Sequence, residues 1–373
     1  MKKRVTVEID LKALARNYRK IAAHVRPMKV LCVLKANAYG LGVADYAEAL
    51  AKAGCTMFGV ADAFEALELR KILKGRGEVQ MLSAVFPDEI PEMVRADVIL
   101  PVTDLATAKL ISAAAVKAKK VVRVHFKIDT GMGRLGILAK DALDVMREVK
   151  KLPNLECEGV FTHCPVAFTP QDPFTKRQIA LFKQIVAAAE KEGFRFKKVH
   201  MAASDAINSF PETAKKPFTI VRTGINLHGS FDPYGRKSLK VEPVLTLKTR
   251  VAQVRELPAG TTLGYGRTWC LSAPTKVATI AAGYADGFPL ALTNRGFVFI
   301  GGKRCKIVGR ISMDYTTVDV SHAPAVKPGD EVICLGGTGP AAVTPDDWGA
   351  LKGTHAYEII CSFGNRVARV YKG

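Results

Sequence analysis

The apolar residues of the first part of the chain follow two alternating patterns. From residue 29 to about residue 229, short apolar runs alternate with Ala-, Leu- and Lys-rich segments whose apolar positions recur at helical spacing. Eight strands that alternate with helices predict an α/β fold, the (β/α)8 or TIM barrel. The predicted strands are 29–35, 56–62, 78–85, 97–102, 121–129, 156–163, 197–204 and 218–227. The clearest predicted helices are 43–54, 63–75, 105–119, 140–151 and 174–193.

Beyond the barrel, apolar and polar residues alternate strictly and glycine-rich turns separate the segments. This change predicts a barrel domain at 1–229 and a mostly β C-terminal domain at 230–373. The first ten residues also alternate, and we expect them to form a strand that packs with the second domain. Thr344 followed by Pro345 is typical of a helix start. The predicted strands of this domain are 245–254, 276–282, 297–300, 305–308, 316–320 and 331–335.

The net charge of +20 over 373 residues raises the hypothesis of a nucleic-acid partner. The Lys and Arg residues are, however, spread along the chain, and their short clusters lack interleaved aromatic residues. This distribution favours a basic surface that aids solubility and attracts small anions. We therefore expect a small-molecule ligand and no nucleic-acid partner.

The cysteines and the N-terminal residues indicate the compartment. The eight cysteines form no C-x-x-C pair, which argues against zinc and redox motifs and favours reduced thiols. No apolar run is long enough to span a bilayer, and no secretory apolar segment follows the basic residues 1–4. We expect a cytoplasmic protein with no membrane partner and no metal site.

Lys35 occupies the most informative position of the barrel region. It follows an apolar run without charge, and glycines at 40 and 42 interrupt the chain soon after it. In a parallel barrel this is the C-terminal rim, where reacting groups collect. A lysine in partly apolar surroundings there can form a Schiff base with a carbonyl, and the hydroxyl of Tyr39 can reach a phosphate at the same rim. A simple surface lysine would fit the same position, so the other strand ends must decide between the two readings.

Four other predicted strands also end in residues that can do chemistry. They contribute the segment 127–134, His163, Ser204, and Arg222 with Gly224. Alone, each has a structural explanation, because Ser204 can cap a helix and His163 can be a core histidine. Together at one mouth, however, they predict a site for a phosphorylated aromatic aldehyde. The lysine can bond to the aldehyde, the imidazole can lie against the ring, and the hydroxyl and backbone N–H groups can bind the phosphate.

These residues lie in motifs that resemble, over essentially the whole chain, the alanine racemase family of fold-type III pyridoxal-phosphate enzymes. The first motif is highly specific, and the shared order of the set makes a chance similarity implausible. The matching motifs are VLKANAYG (33–40), KIDTGMGRLG (127–136), FTH (161–163), HMAAS (200–204), VRTGI (221–225), YGRT (265–268), GYADG (283–287), GRISMD (309–314) and YE (357–358).

The resemblance implies an isomerase that uses pyridoxal 5′-phosphate to interconvert L- and D-alanine, with D-alanine supplied to peptidoglycan synthesis. It implies that Lys35 holds the cofactor and is one base, and that Tyr265 from the partner subunit of a homodimer is the other. Racemisation requires such a pair, because a proton leaves one face of Cα and another arrives on the opposite face. Arg222 would contact the pyridine nitrogen and, because arginine does not readily lose its proton, would leave that nitrogen unprotonated and the ring a weak electron sink.

The resemblance also implies the other cofactor contacts. His163 is expected to pack on the ring, and His200 is expected to link Arg222 and Tyr265. The groups expected to hold the phosphate are Tyr39, Ser204, Tyr357 and the backbone of Gly224 and Ile225.

The substrate contacts implied by the resemblance come from both domains. Arg134 would contact the phenolic oxygen of the cofactor and the substrate carboxylate, and a carbamylated Lys127 would hold Arg134 in place. Met313 and Asp314 of the partner chain would line the substrate site. Tyr284 would line its entrance.

Three positions depart from the common family pattern. Leu41 stands where many members have His, Ala203 where Asn is frequent, and His228 where Tyr is common. All three flank the expected cofactor site. We expect them to tune binding or substrate preference without abolishing activity.

Other functions compete with alanine racemisation. A racemase of broader range could act on serine, lysine or arginine, and a decarboxylase could use the same two domains. Arg222 argues against the decarboxylase, because that reaction is expected to place a carboxylate at the pyridine nitrogen. A cofactor-binding module without turnover would not need a second domain with Tyr265.

Overall fold

The computed structural model describes residues 3–323, 325–337 and 342–373. Its strands are β1 (Thr6–Asp10), β2 (Lys29–Val33), β3 (Met57–Val60), β4 (Glu78–Met81), β5 (Leu100–Val102), β6 (Val122–Asp129), β7 (Ile137–Leu138), β8 (Leu155–Phe161), β9 (Lys198–His200), β10 (Ile220–Thr223), β11 (Leu245–Leu257), β12 (Thr262–Leu263), β13 (Trp269–Cys270), β14 (Thr275–Ile280), β15 (Phe297–Ile300), β16 (Lys303–Lys306), β17 (Thr316–Asp319), β18 (Glu331–Leu335) and β19 (Ala368–Lys372). Its α-helices are α1 (Leu11–His24), α2 (Lys35–Tyr39), α3 (Val43–Lys52), α4 (Ala63–Leu73), α5 (Ile90–Arg95), α6 (Leu105–Ala118), α7 (Ala142–Lys150), α8 (Phe174–Lys191), α9 (Ser204–Ser209), α10 (Pro345–Lys352) and α11 (Ala356–Cys361). Short 3-10 helices span Ala139–Asp141, Pro211–Ala214, Ile225–His228, Tyr265–Arg267, Tyr284–Asp286 and Leu290–Leu292.

Eight parallel strands form a barrel in the order β4-β3-β2-β10-β9-β8-β6-β5. A parallel bridge between Gln80 and Ile99 joins the two outer strands and closes the ring. The structure thus confirms the predicted (β/α)8 fold. Because all eight strands run in the same direction, their C-terminal ends, including the end of β2 before Lys35, surround one mouth.

The second sheet contains eight strands and confirms the predicted mostly β C-terminal region. Its longest strand, β11, pairs antiparallel with β1, β14 and β18. The early strand β1 lies between β11 and β19 and pairs parallel with β19. The domain boundary predicted between residues 229 and 230 falls in the segment that links the helix Ile225–His228 to β11.

Side-chain caps fix where helices begin. Asp10 accepts a hydrogen bond of 2.8 Å from the backbone N–H of Ala13 and so caps α1 as β1 ends. Thr344 accepts one of 3.1 Å from the N–H of Asp347, and Pro345 occupies the first turn of α10. The helix start predicted at Thr344 is therefore confirmed.

All eight barrel strands are shorter in the structure than the apolar runs that predicted them, and two of them show the reason. The run 218–227 is a strand only from Ile220 to Thr223, and the run 197–204 only from Lys198 to His200. Beyond each strand the apolar side chains remain buried in loops and short helices, as Met201 and Leu227 show. Apolar periodicity reports burial and cannot distinguish a strand from a buried loop, so the sequence overestimated both lengths.

Three properties of the described residues bear on partners and redox state. No helix among them combines the length and the apolar character that a membrane crossing requires. They contain no cluster of three or more His, Cys, Asp or Glu side chains that could hold a metal ion. All eight cysteines are free thiols, four of them buried: Cys32, Cys55, Cys305 and Cys334.

Candidate active site

Lys35 begins α2, an unusual turn at the end of β2. The backbone of residues 36–39 is left-handed throughout, with φ between 52° and 59°. Such a conformation costs roughly 1–2 kcal/mol per residue, so other contacts must hold it. The carboxylate of Glu65 accepts hydrogen bonds from the N–H groups of Ala36 and, at 3.0 Å, Ala61. The Lys35 side chain is exposed at the mouth of the barrel.

A cup of polar groups lies beside this turn. The N–H of Gly224 donates to Ser204 Oγ at 3.1 Å, and a Cβ on Gly224 would lie 2.1 Å from the Tyr39 hydroxyl. The rings of Tyr39 and Tyr357 are 5.9 Å apart, and burial raises the pKa of both phenols. Both hydroxyls therefore remain protonated donors. Ile225 follows Gly224 and begins the short helix behind the cup.

Arg222 is buried on the inside of the mouth, only 5% exposed. Its Nη1 donates to Nδ1 of His200 at 2.8 Å, and its Nη2 donates to the carbonyl oxygens of Thr162 and Met201 at 2.8 and 2.9 Å. Burial lowers the pKa of Arg222 to about 10, so the guanidinium stays charged at neutral pH. These contacts fix its plane.

The two histidines beside Arg222 differ in access. His200 is fully buried, and its other ring nitrogen faces His125 at 3.2 Å, so both nitrogens are occupied inside the barrel. The expected link from His200 to Tyr265 of the partner subunit stays a prediction. His163 is only partly buried, and its Nδ1 lies 3.4 Å from Nη2 of Arg222. Burial, followed by the charge of Arg222, lowers the pKa of His163 to about 3, so its ring is neutral.

Positive charge accumulates at the mouth. Burial, followed by the charges of Arg222 and Arg134, lowers the pKa of Lys127 to about 7. Lys127 Nζ donates to the carbonyl of Leu82 at 3.0 Å and lies 4.6 Å from the centre of the Phe161 ring. The exposed Arg134 ends a loop whose N–H groups converge on the Asp129 carboxylate at 2.8–3.2 Å.

The C-terminal region, residues 230–373, carries the other predicted site residues at its surface. Tyr265 is 72% exposed, Met313 is 52% exposed, and no described residue forms a hydrogen bond with the Tyr265 hydroxyl. Tyr284 is also exposed, and its N–H donates to the carbonyl of Ser312 at 3.0 Å. Asp314 accepts a hydrogen bond of 2.7 Å from Arg366. The barrel residues thus come together in one mouth, whereas these four lie on short 3-10 helices and loops of the C-terminal region.

The three departures from the family pattern lie behind the cup. His228 is buried, with its Nδ1 3.1 Å from the Tyr46 hydroxyl and its ring edge-on to Tyr39 at 4.9 Å. Burial lowers the pKa of His228 to about 3, so it supports Tyr39 as a neutral ring. Leu41 is buried in the core, and Ala203 precedes α9, where it offers no side-chain cap.

Sequence reasoning missed several residues that shape the site. Glu65 supports the left-handed turn, and Phe161 stacks flat on His200 with their ring centres 4.9 Å apart. His125 and Glu158 lie buried beneath Arg222. The one available signal was a charged residue inside an apolar run, as at Glu158.

The residues of the mouth fit a phosphorylated aromatic aldehyde. The lack of a Cβ on Gly224 lets the Tyr39 hydroxyl approach the backbone closely, so that hydroxyls and an N–H line the cup. A flat neutral imidazole and a fixed guanidinium lie beside an exposed lysine. The buried positive charge suits an anionic ligand. Fold and site together define a barrel-type pyridoxal-phosphate enzyme.

Comparisons with known proteins agree with this class. The family model for the alanine racemase N-terminal domain matches residues 9–232, and that for the alanine racemase C-terminal domain matches residues 244–371. The chain is 36% identical to the alanine racemase of Desulforamulus reducens over the full length of both proteins. It is also 36% identical to that of Carboxydothermus hydrogenoformans, over 98% of this chain and 99% of the relative.

Solved structures show the same likeness. The crystal structure of alanine racemase from D-cycloserine-producing Streptomyces lavendulae superposes with a TM-score of 0.93 at 34% identity, over 100% of this chain and 98% of that one. Alanine racemase from Bartonella henselae, crystallised with covalently bound pyridoxal phosphate, gives a TM-score of 0.89 at 30% identity over both full chains. The chain belongs to the alanine racemase family, a family of pyridoxal-phosphate-dependent isomerases.

Replacing Gly224 with alanine tests the cup. The new Cβ would lie 2.1 Å from the Tyr39 hydroxyl, so the ring must move out of its place. We expect G224A to weaken pyridoxal-phosphate binding by about tenfold, or ~1.4 kcal/mol, in an absorbance titration of cofactor-depleted protein. The control is G235A, whose Cβ would meet only ordinary contacts of 3.4 Å or more. Unchanged affinity in G224A would refute the cup as the phosphate site.

Proposed function

We propose that this chain interconverts L- and D-alanine with Lys35 and Tyr265 as the two bases. The observation that supports this most directly is the exposed phenol of Tyr265, whose hydroxyl has no hydrogen-bond partner among the described residues, on a chain whose lysine, arginine and phosphate cup already form half of a site. The working form is a homodimer in which Tyr265 of one subunit faces Lys35 of the other. The substrate is a small amino acid.

The geometry of the mouth supports the proposed cofactor-binding roles. Lys35 would hold the aldehyde, and Arg222 would donate to the ring nitrogen. Tyr39, Ser204, Tyr357 and the N–H groups of Gly224 and Ile225 would hold the phosphate, while His163 would pack on the ring. When bound, pyridoxal phosphate supplies an electron-withdrawing ring that acidifies the Cα–H bond of the amino acid.

The protein's own groups then move protons at Cα. Lys35 Nζ takes or gives a proton on one face, and the Tyr265 hydroxyl does so on the other. Because Arg222 keeps its own proton, its guanidinium would donate a hydrogen bond to the ring nitrogen without protonating it. This limits the lifetime of negative charge at Cα and so disfavours side reactions. Arg134 would bind the substrate carboxylate and the cofactor's phenolic oxygen.

The C-terminal region completes the site from the partner. Met313 and Asp314 would line the substrate space, and Tyr284 would line the entrance. Two observations support this role: the loops with these residues are exposed, yet they are firmly held. Arg366 donates to Asp286 at 2.7 Å and to Asp314 at 2.7 Å, and a Cβ on Gly283 would lie 2.3 Å from the carbonyl of Ser312.

A doubly tagged heterodimer tests the shared site. K35A and Y265F should each abolish racemisation of L-alanine as homodimers. Co-expressed and purified through both tags, the K35A/Y265F heterodimer contains one intact site, so about half of the wild-type activity per dimer should return. Activity no higher than that of the single variants would place both bases in one chain, and failure to capture a heterodimer would exclude the dimer. Full activity of K35A alone would remove Lys35 from the mechanism.

Lys127 is proposed to be carbamylated and to hold Arg134. Only a neutral amine attacks carbon dioxide, forming an N–C bond as its proton passes to water, and a pKa of about 7 leaves about half of Lys127 neutral at neutral pH. The carbamate restores negative charge beside Arg134 and Arg222.

Labelled bicarbonate tests this modification. Protein equilibrated with 13C-bicarbonate should show one carbamate resonance that disappears in K127A. The matched control is K198A, because Lys198 is also buried but pairs with the carboxylates of Glu78 and Glu158 at 2.7 and 2.9 Å. A signal that survives in K127A, or none in the wild type, would contradict the proposal.

The proposal extends to a role in the cytoplasm, where the enzyme supplies D-alanine for peptidoglycan. Family membership supports it. A strain whose only racemase gene of this type is deleted should grow only when D-alanine is added, and a wild-type copy but not K35A should restore growth. Growth of the K35A strain without D-alanine would separate the enzyme from wall synthesis.

A further inference from the structure

A continuous row of buried polar side chains runs from Arg222 into the barrel, away from the mouth. Arg222 Nη1 lies 2.8 Å from His200 Nδ1, and His200 Nε2 lies 3.2 Å from His125 Nδ1. His125 Nε2 lies 3.2 Å from Oε2 of Glu158. Both histidines are fully buried and Glu158 is 6% exposed. We call these four residues, Arg222, His200, His125 and Glu158, the relay.

The protons of the relay have a single consistent arrangement. Arg222 can only donate, so His200 Nδ1 must accept and His200 Nε2 must carry the proton. At the other end, hydrogen bonds from His125 and Lys198 outweigh burial and lower the pKa of Glu158 to about 2, so its carboxylate can only accept. His125 Nε2 must therefore carry a proton, and its Nδ1 is left to accept from His200. Arg222, which can only donate, and Glu158, which can only accept, therefore fix the tautomers of His200 and His125 between them.

The backbone is shaped to build this row. Val124 on β6 pairs with Cys157 on β8, but His125 pairs with Gly159, so Glu158 is the extra residue of a bulge. A bulge redirects a side chain, and here it accompanies the burial of Glu158 beside His125. The next residue has to be glycine, because a Cβ on Gly159 would lie 2.7 Å from His125 Nε2.

The negative charge of Glu158, at the far end of the relay, is balanced by a lysine. Lys198 Nζ donates to Oε2 of Glu158 at 2.9 Å and to Glu78 at 2.7 Å, so the buried carboxylate has a cation beside it. The amide of Gln80 gives His125 Nδ1 a second neighbour, with Gln80 Nε2 at 2.9 Å. Because Nδ1 accepts, the amide presents its NH2 group there, and the Gln80 oxygen is left without a partner in the described residues.

We propose that Glu158 is a positioning residue for the reaction: through His125 it fixes the tautomer of His200 that accepts from Arg222, and so holds the guanidinium in the orientation that meets the cofactor. The inference rests on the cofactor contact of Arg222 proposed above. Without the carboxylate, His125 is free to carry its proton on Nδ1. His200 Nε2–H would then face another N–H, and the tautomer that relieves this conflict turns an N–H toward Arg222.

Nitrogen NMR tests the tautomers directly. In 15N-histidine-labelled holoenzyme, both ring systems of the relay should be neutral with the proton on Nε2, and the signals are assigned with H200N and H125N. In E158Q, which removes the charge and preserves the volume, the glutamine can donate as well as accept. We expect His125 and His200 in E158Q to show mixed tautomers. Unchanged Nε2-protonated signals for both rings would overturn the proposal.

Kinetics separates positioning from a general loss of stability. E158Q should lower kcat for alanine by about tenfold, the lower end of the effect typical for outer partners of an orienting histidine. In an H125N background, where the relay is already cut, the same E158Q change should lower kcat by less than about twofold. The stability control is S112A, which removes a buried hydrogen bond of 2.7 Å to the carbonyl of Pro153 on the outer layer. S112A should lower the urea midpoint without changing kcat.

The outcomes are distinct from those that test the function itself. If wild-type enzyme racemises alanine but E158Q has wild-type kcat, the relay is wrong and the proposed function stands. An equal E158Q effect in the wild-type and H125N backgrounds would show that Glu158 acts only by supporting the fold. If the wild type fails to racemise alanine, the proposed function falls, and the tautomer measurement still decides whether Glu158 orders the two histidines.

Discussion

A buried guanidinium without a carboxylate partner governs the barrel mouth. Among the described residues, Arg222 donates only to carbonyl oxygens and neutral imidazoles and lies 5.7 Å from the centre of the Phe161 ring, so no carboxylate among them offsets its charge. Burial and this charge together keep His163 neutral and bring the pKa of Lys127 to about 7. The mouth therefore combines surplus positive charge with neutral nitrogen bases. That combination suits a ligand with a phosphate, a carboxylate and a transferable proton.

Much of this arrangement could be predicted from sequence because a parallel barrel converts strand ends into neighbours. Lys35, Ser204 and Arg222 lie at or just after the ends of apolar runs, and a closed ring brings those ends to one side. The two-domain fold likewise follows from a change of period in the apolar pattern. The roles assigned to Tyr265 and Tyr357 came only from the resemblance, since each tyrosine lies in a helix too short to show a periodic pattern.

What sequence could not reveal depends on local backbone geometry. The left-handed turn after Lys35 is built from two Ala, an Asn and a Tyr, of which only Asn is enriched in this conformation, and Glu65 from a different helix holds it. Glu158 enters the barrel only because β8 has one more residue than β6 at that point. The alternation of apolar and polar residues does not reveal such a bulge. Glu158 therefore looks like an exception to the apolar pattern of its run, although its side chain is part of the barrel interior.

The pairing of β1 with β11 and β19 has a consequence for biosynthesis. On the ribosome β1 emerges well over 200 residues ahead of β11, and β19 follows later still. The barrel strands can associate during that interval, since all of them lie between β1 and β11, whereas β1 must wait, unpaired, for its two neighbours. The pairing of β1 is therefore complete only after β19 (Ala368–Lys372) has emerged, and a nascent chain arrested before β19 exposes one edge of β1 to chaperones.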